Sequence, residues 1–125
     1  MIIGIGVDIV EIERFQKVIE RLKDRFLLRV FTPGERSFCD SHRNSVPHFA
    51  VRFAAKEAVF KALGTGWAKG VTWLDVEILR ERQDPPEIVL SGEALRLSEQ
   101  KGTHNIHLSL SHTEHSAIAM VILEG

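Results

Sequence analysis

Hydrophobic positions in this chain change period several times, and each change marks an element. Residues 2–10, IIGIGVDIV, are dense in Ile and Val with interspersed glycines, the pattern of a buried strand. Alternation puts Ile3, Ile5, Val7 and Ile9 on one face and Gly4, Gly6, Asp8 and Val10 on the other. The two glycines strip side chains from the Asp8 face, so a helix, another chain or a ligand can approach it closely. From about Glu13 to Leu28 the spacing turns helical, with Phe15, Val18, Ile19, Leu22 and Phe26 in step. Arg14, Arg21 and Arg25 lie along one flank of that helix. TPGE then announces a short helix, with Thr32 as cap, Pro33 at the first position and Glu35 at the third. It gives out near Asp40–Asn44. The longest helix is predicted from about Pro47 to Leu63, where Gly64 stops it.

Beyond Val71 the period shortens. TWLDVEILRE and PEIVLSG read as strands joined by a turn around Asp84–Pro85–Pro86. SGEALRLSEQKG reads as a helix with Ser91 as its cap and Gly102 as its stop. NIHLSLSHTEHSAIAMVILEG reads as two alternating strands with a turn near Thr113–Glu114. The order β, α, α, α, β, β, α, β, β predicts an α+β domain: a mainly antiparallel sheet packed with a long central helix. Its 125 residues fit one domain, 1–125, with a modest core, and a hydrophobic content of 44% argues against disorder.

Charge narrows the partners. Sixteen Lys and Arg against 17 Asp and Glu leave a formal net charge of −1, which gives no general attraction to nucleic acid or to an anionic membrane. No run approaches the roughly 18–20 apolar residues of a membrane span, and the short apolar start, interrupted by Asp8, lacks the pattern of a signal peptide. A single cysteine, Cys39, excludes an internal disulfide and suits a reducing cytoplasm.

The stretch FAAKEAVFKALGTG carries charge at the edge of an apolar helix face. Glu57 and Lys61, four apart, are neighbours there, flanked by Phe53 and Phe60. Such a pair is either a surface ion bridge worth roughly 0.3–0.5 kcal/mol or the margin of a reactive site. Asp8 supplies a second carboxylate in an apolar, glycine-thinned setting, where its charge needs compensation. It either accepts backbone hydrogen bonds or binds a hard cation. One Asp and one Glu with room for water and phosphate oxygens are the usual protein share of a magnesium site, and a lysine beside them suggests phosphoryl transfer.

Two motifs make the reading specific. GIGVDIVEIERF at the start and RFAAKEAVFKALGTG in the middle, in this order and spacing, resemble the holo-(acyl-carrier-protein) synthase family of 4′-phosphopantetheinyl transferases. The late LSLSHT…AIAMV segment also fits, and residues 65–105 match only in general pattern. The resemblance implies the 4′-phosphopantetheinyl transferase fold. It implies transfer of 4′-phosphopantetheine from coenzyme A to a serine of apo acyl carrier protein, with release of adenosine 3′,5′-bisphosphate. It further implies a Mg2+ requirement and a homotrimer with active sites at subunit boundaries. Carried across, Asp8 and Glu57 hold the metal, and Lys61 contacts the phosphates or assists deprotonation of the serine. A water activated by a carboxylate is the competing base.

Further positions carry two readings each. Arg52 meets a coenzyme A phosphate or is a solvated helix arginine. Lys56 is best read as a salt bridge. Gly64 ends the helix and lets backbone amides approach a phosphate. His112 reaches the nucleotide or is structural. Arg14, by the resemblance, docks the acidic carrier protein; Arg21 and Arg25 follow by helical position, the alternative being a solvated flank paired with Glu11, Glu13 and Asp24. No histidine spacing suits zinc. Two rivals remain on the same fold, a coenzyme A-binding module without catalysis and a metal-dependent phosphohydrolase using water.

Overall fold

The computed structural model describes residues 1–64, 70–80 and 83–125. Strand β1 (Ile2–Glu11) leads into helices α1 (Ile12–Leu22), α2 (Asp24–Val30), α3 (Pro33–Asp40) and α4 (Val46–Leu63). A short 3₁₀ turn, Trp73–Asp75, precedes strands β2 (Val76–Leu79) and β3 (Glu87–Leu90). Helix α5 (Gly92–Gln100) and strands β4 (Asn105–His112) and β5 (Ser116–Glu124) complete the chain. The class is α+β, as expected. The strands form two antiparallel sheets, a three-stranded one ordered β1-β5-β4 and a separate β2–β3 pair.

Helix α4 is wrapped by protein on nearly all sides, from Phe49 and Ala50 through Ala58, Val59 and Leu63. One side lies on the three-stranded sheet, whose inward residues on β5 are Ala117, Ala119, Val121 and Leu123, all fully buried. Across from them on β1 stand Gly4, Gly6 and Asp8, paired with Leu123, Val121 and Ala119. A Cβ on Gly6 would overlap the Ala58 carbonyl oxygen and come within 2.9 Å of Ala62 N, and one on Gly4 would overlap the Ala62 carbonyl oxygen. Strand and helix backbones therefore touch. The other side of α4 packs a chain of aromatic rings, in which Phe53 lies 5.3 Å from Phe15, 5.8 Å from Phe26 and 4.9 Å from Trp73.

Lys56 lies inside this packing. Its ammonium is completely buried, 2.8 Å from Glu35 Oε1, and donates to the carbonyl oxygens of Trp73 at 3.1 Å and Val76 at 2.6 Å. Glu35 is also half of the Thr32 capping box, and its Oε2 accepts from Ile78 N at 2.9 Å. The ion pair thus ties α3, α4 and β2 together with its hydrogen-bonding capacity filled. The salt-bridge reading of Lys56 is correct.

Several expectations shift. The helix expected over Glu13–Leu28 breaks at Lys23, which adopts φ 50°. The break leaves Arg14 and Arg21 on α1 and puts Arg25 on α2. The segment Thr72–Asp75, expected as strand, is a turn capped by its own Thr72–Asp75 box, and the end of that expected strand, Glu81, lies outside the described residues. Ser91 sits at the start of α5 but makes no side-chain cap; Ala94 N donates to Asp75 Oδ2 at 3.4 Å instead. Strand β1 is buried on one face only. Its other face leaves Ile5, Val7 and Ile9 between 49% and 65% exposed, beside the outward Ile118 and Met120 of β5.

Gly6→Ala forces β1 away from α4 and should lower unfolding stability by about 1–3 kcal/mol or more. Chemical denaturation monitored by circular dichroism measures this, and a variant as stable as the parent would refute the close-contact account.

Candidate active site

Because β1 alternates, Asp8 shares the glycine face and points toward α4, where it is largely but not wholly covered. Helix α4 answers with Lys61, whose ammonium lies 3.0 Å from Asp8 Oδ1 and donates to the Val7 carbonyl oxygen at 3.0 Å. Lys61 is bound across to the strand, not to its helix neighbour Glu57. Glu57 is half-buried one turn earlier, at the edge of the aromatic packing. Burial raises its pKa above the ordinary carboxylate range, the nearby Asp8 charge adds to the rise, and Lys61 opposes it.

Asp8 and Glu57 open on one cleft of about 480 Å³. Its apolar wall is Val10, Phe15, Val18, Phe26 and Phe53, and its polar rim includes Glu11, Arg14 and Ser116. Among the described residues no group of three or more His, Cys, Asp or Glu is arranged to hold a metal. The site therefore offers two carboxylates, from a strand and a helix, on a shared opening. This set suits a hard divalent cation that keeps its other positions for water or phosphate oxygen, and not zinc. The like charges raise Glu57's affinity for a positive partner, and a cation between them relieves that repulsion.

Arg14 stands at the rim with an exposed side chain, held among the described residues only by a long 3.9 Å contact to Glu11. Arg21 and Arg25 are exposed and make no ion pair among the described residues, while Glu13 pairs with Lys17. The expected pairing of the whole flank is thus confined to Arg14. Gly64 ends α4 with φ 76°, as expected, and its N–H donates to Phe60 O at 3.0 Å. Among the described residues nothing lies within 4 Å of where a Cβ on Gly64 would stand. Arg52 does not line the cleft. It is 2% exposed, so the solvated reading is overturned; its guanidinium lies over the Phe38 ring at 4.2 Å. Arg52 and Glu57 are five positions apart, about 140° around the helix, and face different ways. His112 ends β4 on the Arg52 side, 6.3 Å from the His48 ring.

Sequence reasoning passed over the cleft's Phe15–Phe26–Phe53 wall as site material, and over His42 and His48. The wall has the spacing of ordinary core. The two histidines lie six positions apart across the α3–α4 turn, where no helical or strand period could pair them.

A family profile described as the 4'-phosphopantetheinyl transferase superfamily matches residues 4–121. The chain is 51% identical to the holo-[acyl-carrier-protein] synthase of Koribacter versatilis (strain Ellin345), covering 99% of each. Its fold is similar to that of holo-[acyl-carrier-protein] synthase from Neisseria meningitidis, with a TM-score of 0.89 and 35% identity over 100% of both chains. It is also similar to Helicobacter pylori holo-[acyl-carrier-protein] synthase in complex with coenzyme A, with a TM-score of 0.83 and 35% identity, covering 96% of this chain and 99% of that one.

Removing the Asp8 charge should bring Glu57 back toward an ordinary carboxylate. In a ¹³C titration of metal-free protein, Asp8→Asn should shift the Glu57 midpoint downward; an unmoved midpoint would show that the two carboxylates do not sense each other.

Proposed function

The chain belongs to the 4′-phosphopantetheinyl transferase superfamily, and we propose that within it the whole chain, 1–125, acts as one Mg2+-dependent holo-(acyl-carrier-protein) synthase domain. The reaction moves 4′-phosphopantetheine from coenzyme A to the serine hydroxyl of apo acyl carrier protein and releases adenosine 3′,5′-bisphosphate. The observation that carries it is the meeting of Asp8 and Glu57 on one cleft, with Lys61 locked beside them. Relatives of the same length bear the synthase name, and one is solved with coenzyme A.

Asp8 and Glu57 would hold the metal, which supplies charge neutralisation to the pyrophosphate when bound. Lys61, fixed by Asp8 and the Val7 carbonyl, offers its remaining donor to a phosphate oxygen as negative charge shifts to the leaving bisphosphate. A water activated by one of the two carboxylates is suited to take the proton from the attacking serine. The apolar wall excludes bulk water from the reacting atoms. Gly64, at the end of α4, would let backbone amides approach a phosphate.

Arg52 and His112 serve the nucleotide end of coenzyme A. They lie off the carboxylate cleft of their own chain, so a homotrimer with sites at subunit boundaries reconciles the two halves. The exposed Ile5, Val7, Ile9, Ile118 and Met120 give such an assembly an apolar face next to Asp8. Arg14, exposed at the rim, docks the acidic carrier, with Arg21 and Arg25 extending the field. No helix among the described residues is long and apolar enough to cross a membrane. A cytoplasmic role in fatty acid biosynthesis suits the proposed carrier, and the single cysteine, Cys39, suits a reducing compartment.

Incubation with coenzyme A, magnesium and apo carrier should add about 340 Da to the carrier, the mass of the transferred group in this phosphoryl transfer. Asp8→Asn and Glu57→Gln should each lower the rate by at least about 10²-fold while remaining folded. An unmodified carrier overturns the assignment. Pantetheine phosphate released without carrier indicates the phosphohydrolase, and coenzyme A binding indifferent to Asp8→Asn without turnover indicates the binding module. Arg14→Glu should raise the KM for carrier well above any change in the KM for coenzyme A; equal changes would remove Arg14 from docking.

A further inference from the structure

Away from the carboxylate cleft, the start of α4 gathers ionisable groups from several parts of the chain. The His42 and His48 rings are stacked, with centroids 3.7 Å apart. His112 meets His48 edge-on at 6.3 Å, and Phe38 lies 4.8 Å from His42. Arg52, one turn further along α4, donates from Nη1 to the His48 carbonyl oxygen at 3.2 Å, while its Nε is buried without a partner among the described residues. Arg80, just past β2, adds its charge to both His48 and Arg52. From α3 come Glu35, already committed to Lys56, Asp40, and Cys39, a thiol that burial pushes up to about 12 and so keeps neutral. The charges acting on His48 are His42, Arg52, His112 and Arg80, with no carboxylate among them.

Such a place attracts an anion, since cationic groups face His48 and no carboxylate opposes them. His48 also lies in the first turn of an 18-residue helix whose cap residue, Ser45, makes no side-chain hydrogen bond. The helix N-terminus adds positive potential to the same spot. Coenzyme A carries one phosphomonoester, whose second ionisation falls near about 6, so it is mostly a dianion at neutral pH. Its pyrophosphate exchanges no proton in that range.

We infer that the stacked His42–His48 pair couples coenzyme binding to proton uptake: when a dianionic phosphomonoester settles against Arg52 and His112, one imidazole of the pair gains a proton from solvent and donates to it. This rests on Arg52 and His112 being coenzyme contacts. Without an anion, burial first and the neighbouring cationic groups second push His48 down to about 4, so it is neutral near pH 7. A bound dianion reverses the local potential and raises that value. Affinity therefore climbs as pH falls from about 8 toward 6.5, and levels off as the phosphate itself protonates near about 6.

Isothermal titration calorimetry with coenzyme A, at fixed magnesium and in buffers of different ionisation enthalpy, counts the protons. The protein should take up about half to one proton per coenzyme at neutral pH, and Kd should tighten about three- to tenfold from pH 8 to 6.5. His48→Phe, which keeps the aromatic stack, should abolish most of the uptake and the slope, and His42→Phe with it should abolish the rest. No uptake by the parent protein, or equal uptake by the double variant, overturns the proposal. 3′-Dephospho-coenzyme A separates it from the reading beneath. If it binds as tightly as coenzyme A, no phosphomonoester sits at Arg52 and His112 and both ideas fall. If coenzyme A binds more tightly without proton uptake, only the coupling falls.

Discussion

The contact between the α4 backbone and β1 across Gly4 and Gly6 is the constraint from which the rest follows. A side chain at Gly6 would occupy the space of the Ala58 carbonyl, so the two elements can lie this close only where glycine stands opposite alanine. That proximity lets Lys61 reach both Asp8 and the Val7 carbonyl, and brings a strand carboxylate and a helix carboxylate to one opening. The chemistry is placed by backbone packing before any side chain is chosen.

Helix α4 resolves its mixture of charge and apolar residues by direction. Lys56 is a structural ion in a saturated cage with Glu35 and two carbonyls. Glu57 and Lys61, on an adjoining face, are left incompletely satisfied and half-open, the condition for binding and proton transfer. Arg52 shares the Lys56 side of the helix one turn earlier, against Phe38 and toward the histidines. Breaking the Lys56 pair would strand Glu35 at a cost of about 3–5 kcal/mol, whereas an exposed pair like that of Lys61 contributes roughly 0.2–1 kcal/mol. Lys56 thus holds the fold, while Lys61 stays half-exposed beside Asp8.

Much of this was legible in the residues. Alternation in IIGIGVDIV put Asp8 on the glycine face, the TPGE box and the Gly64 stop bounded their helices, and the terminal hairpin fell where Thr113–Glu114 suggested. The motifs named the carboxylate pair and the lysine. Other features had no local signature. Lys23 breaks a helix without glycine or proline, at the point where α2 turns Phe26 onto Phe15 and Phe53. Thr72–Asp75 looks like strand by composition, and its capping box competes with the sheet. The burial of Arg52, the Glu35 cage and the His42–His48 stack all join residues that only the folded chain brings together.

The central claim, one divalent ion gripped by Asp8 and Glu57, is tested most directly by anomalous diffraction from crystals grown with manganese and coenzyme A. One anomalous peak per chain should lie within about 2.5 Å of an oxygen from each carboxylate, the reach of a hard-cation contact. A peak bound to neither side chain, or coenzyme seated with its pyrophosphate remote from both, would contradict it.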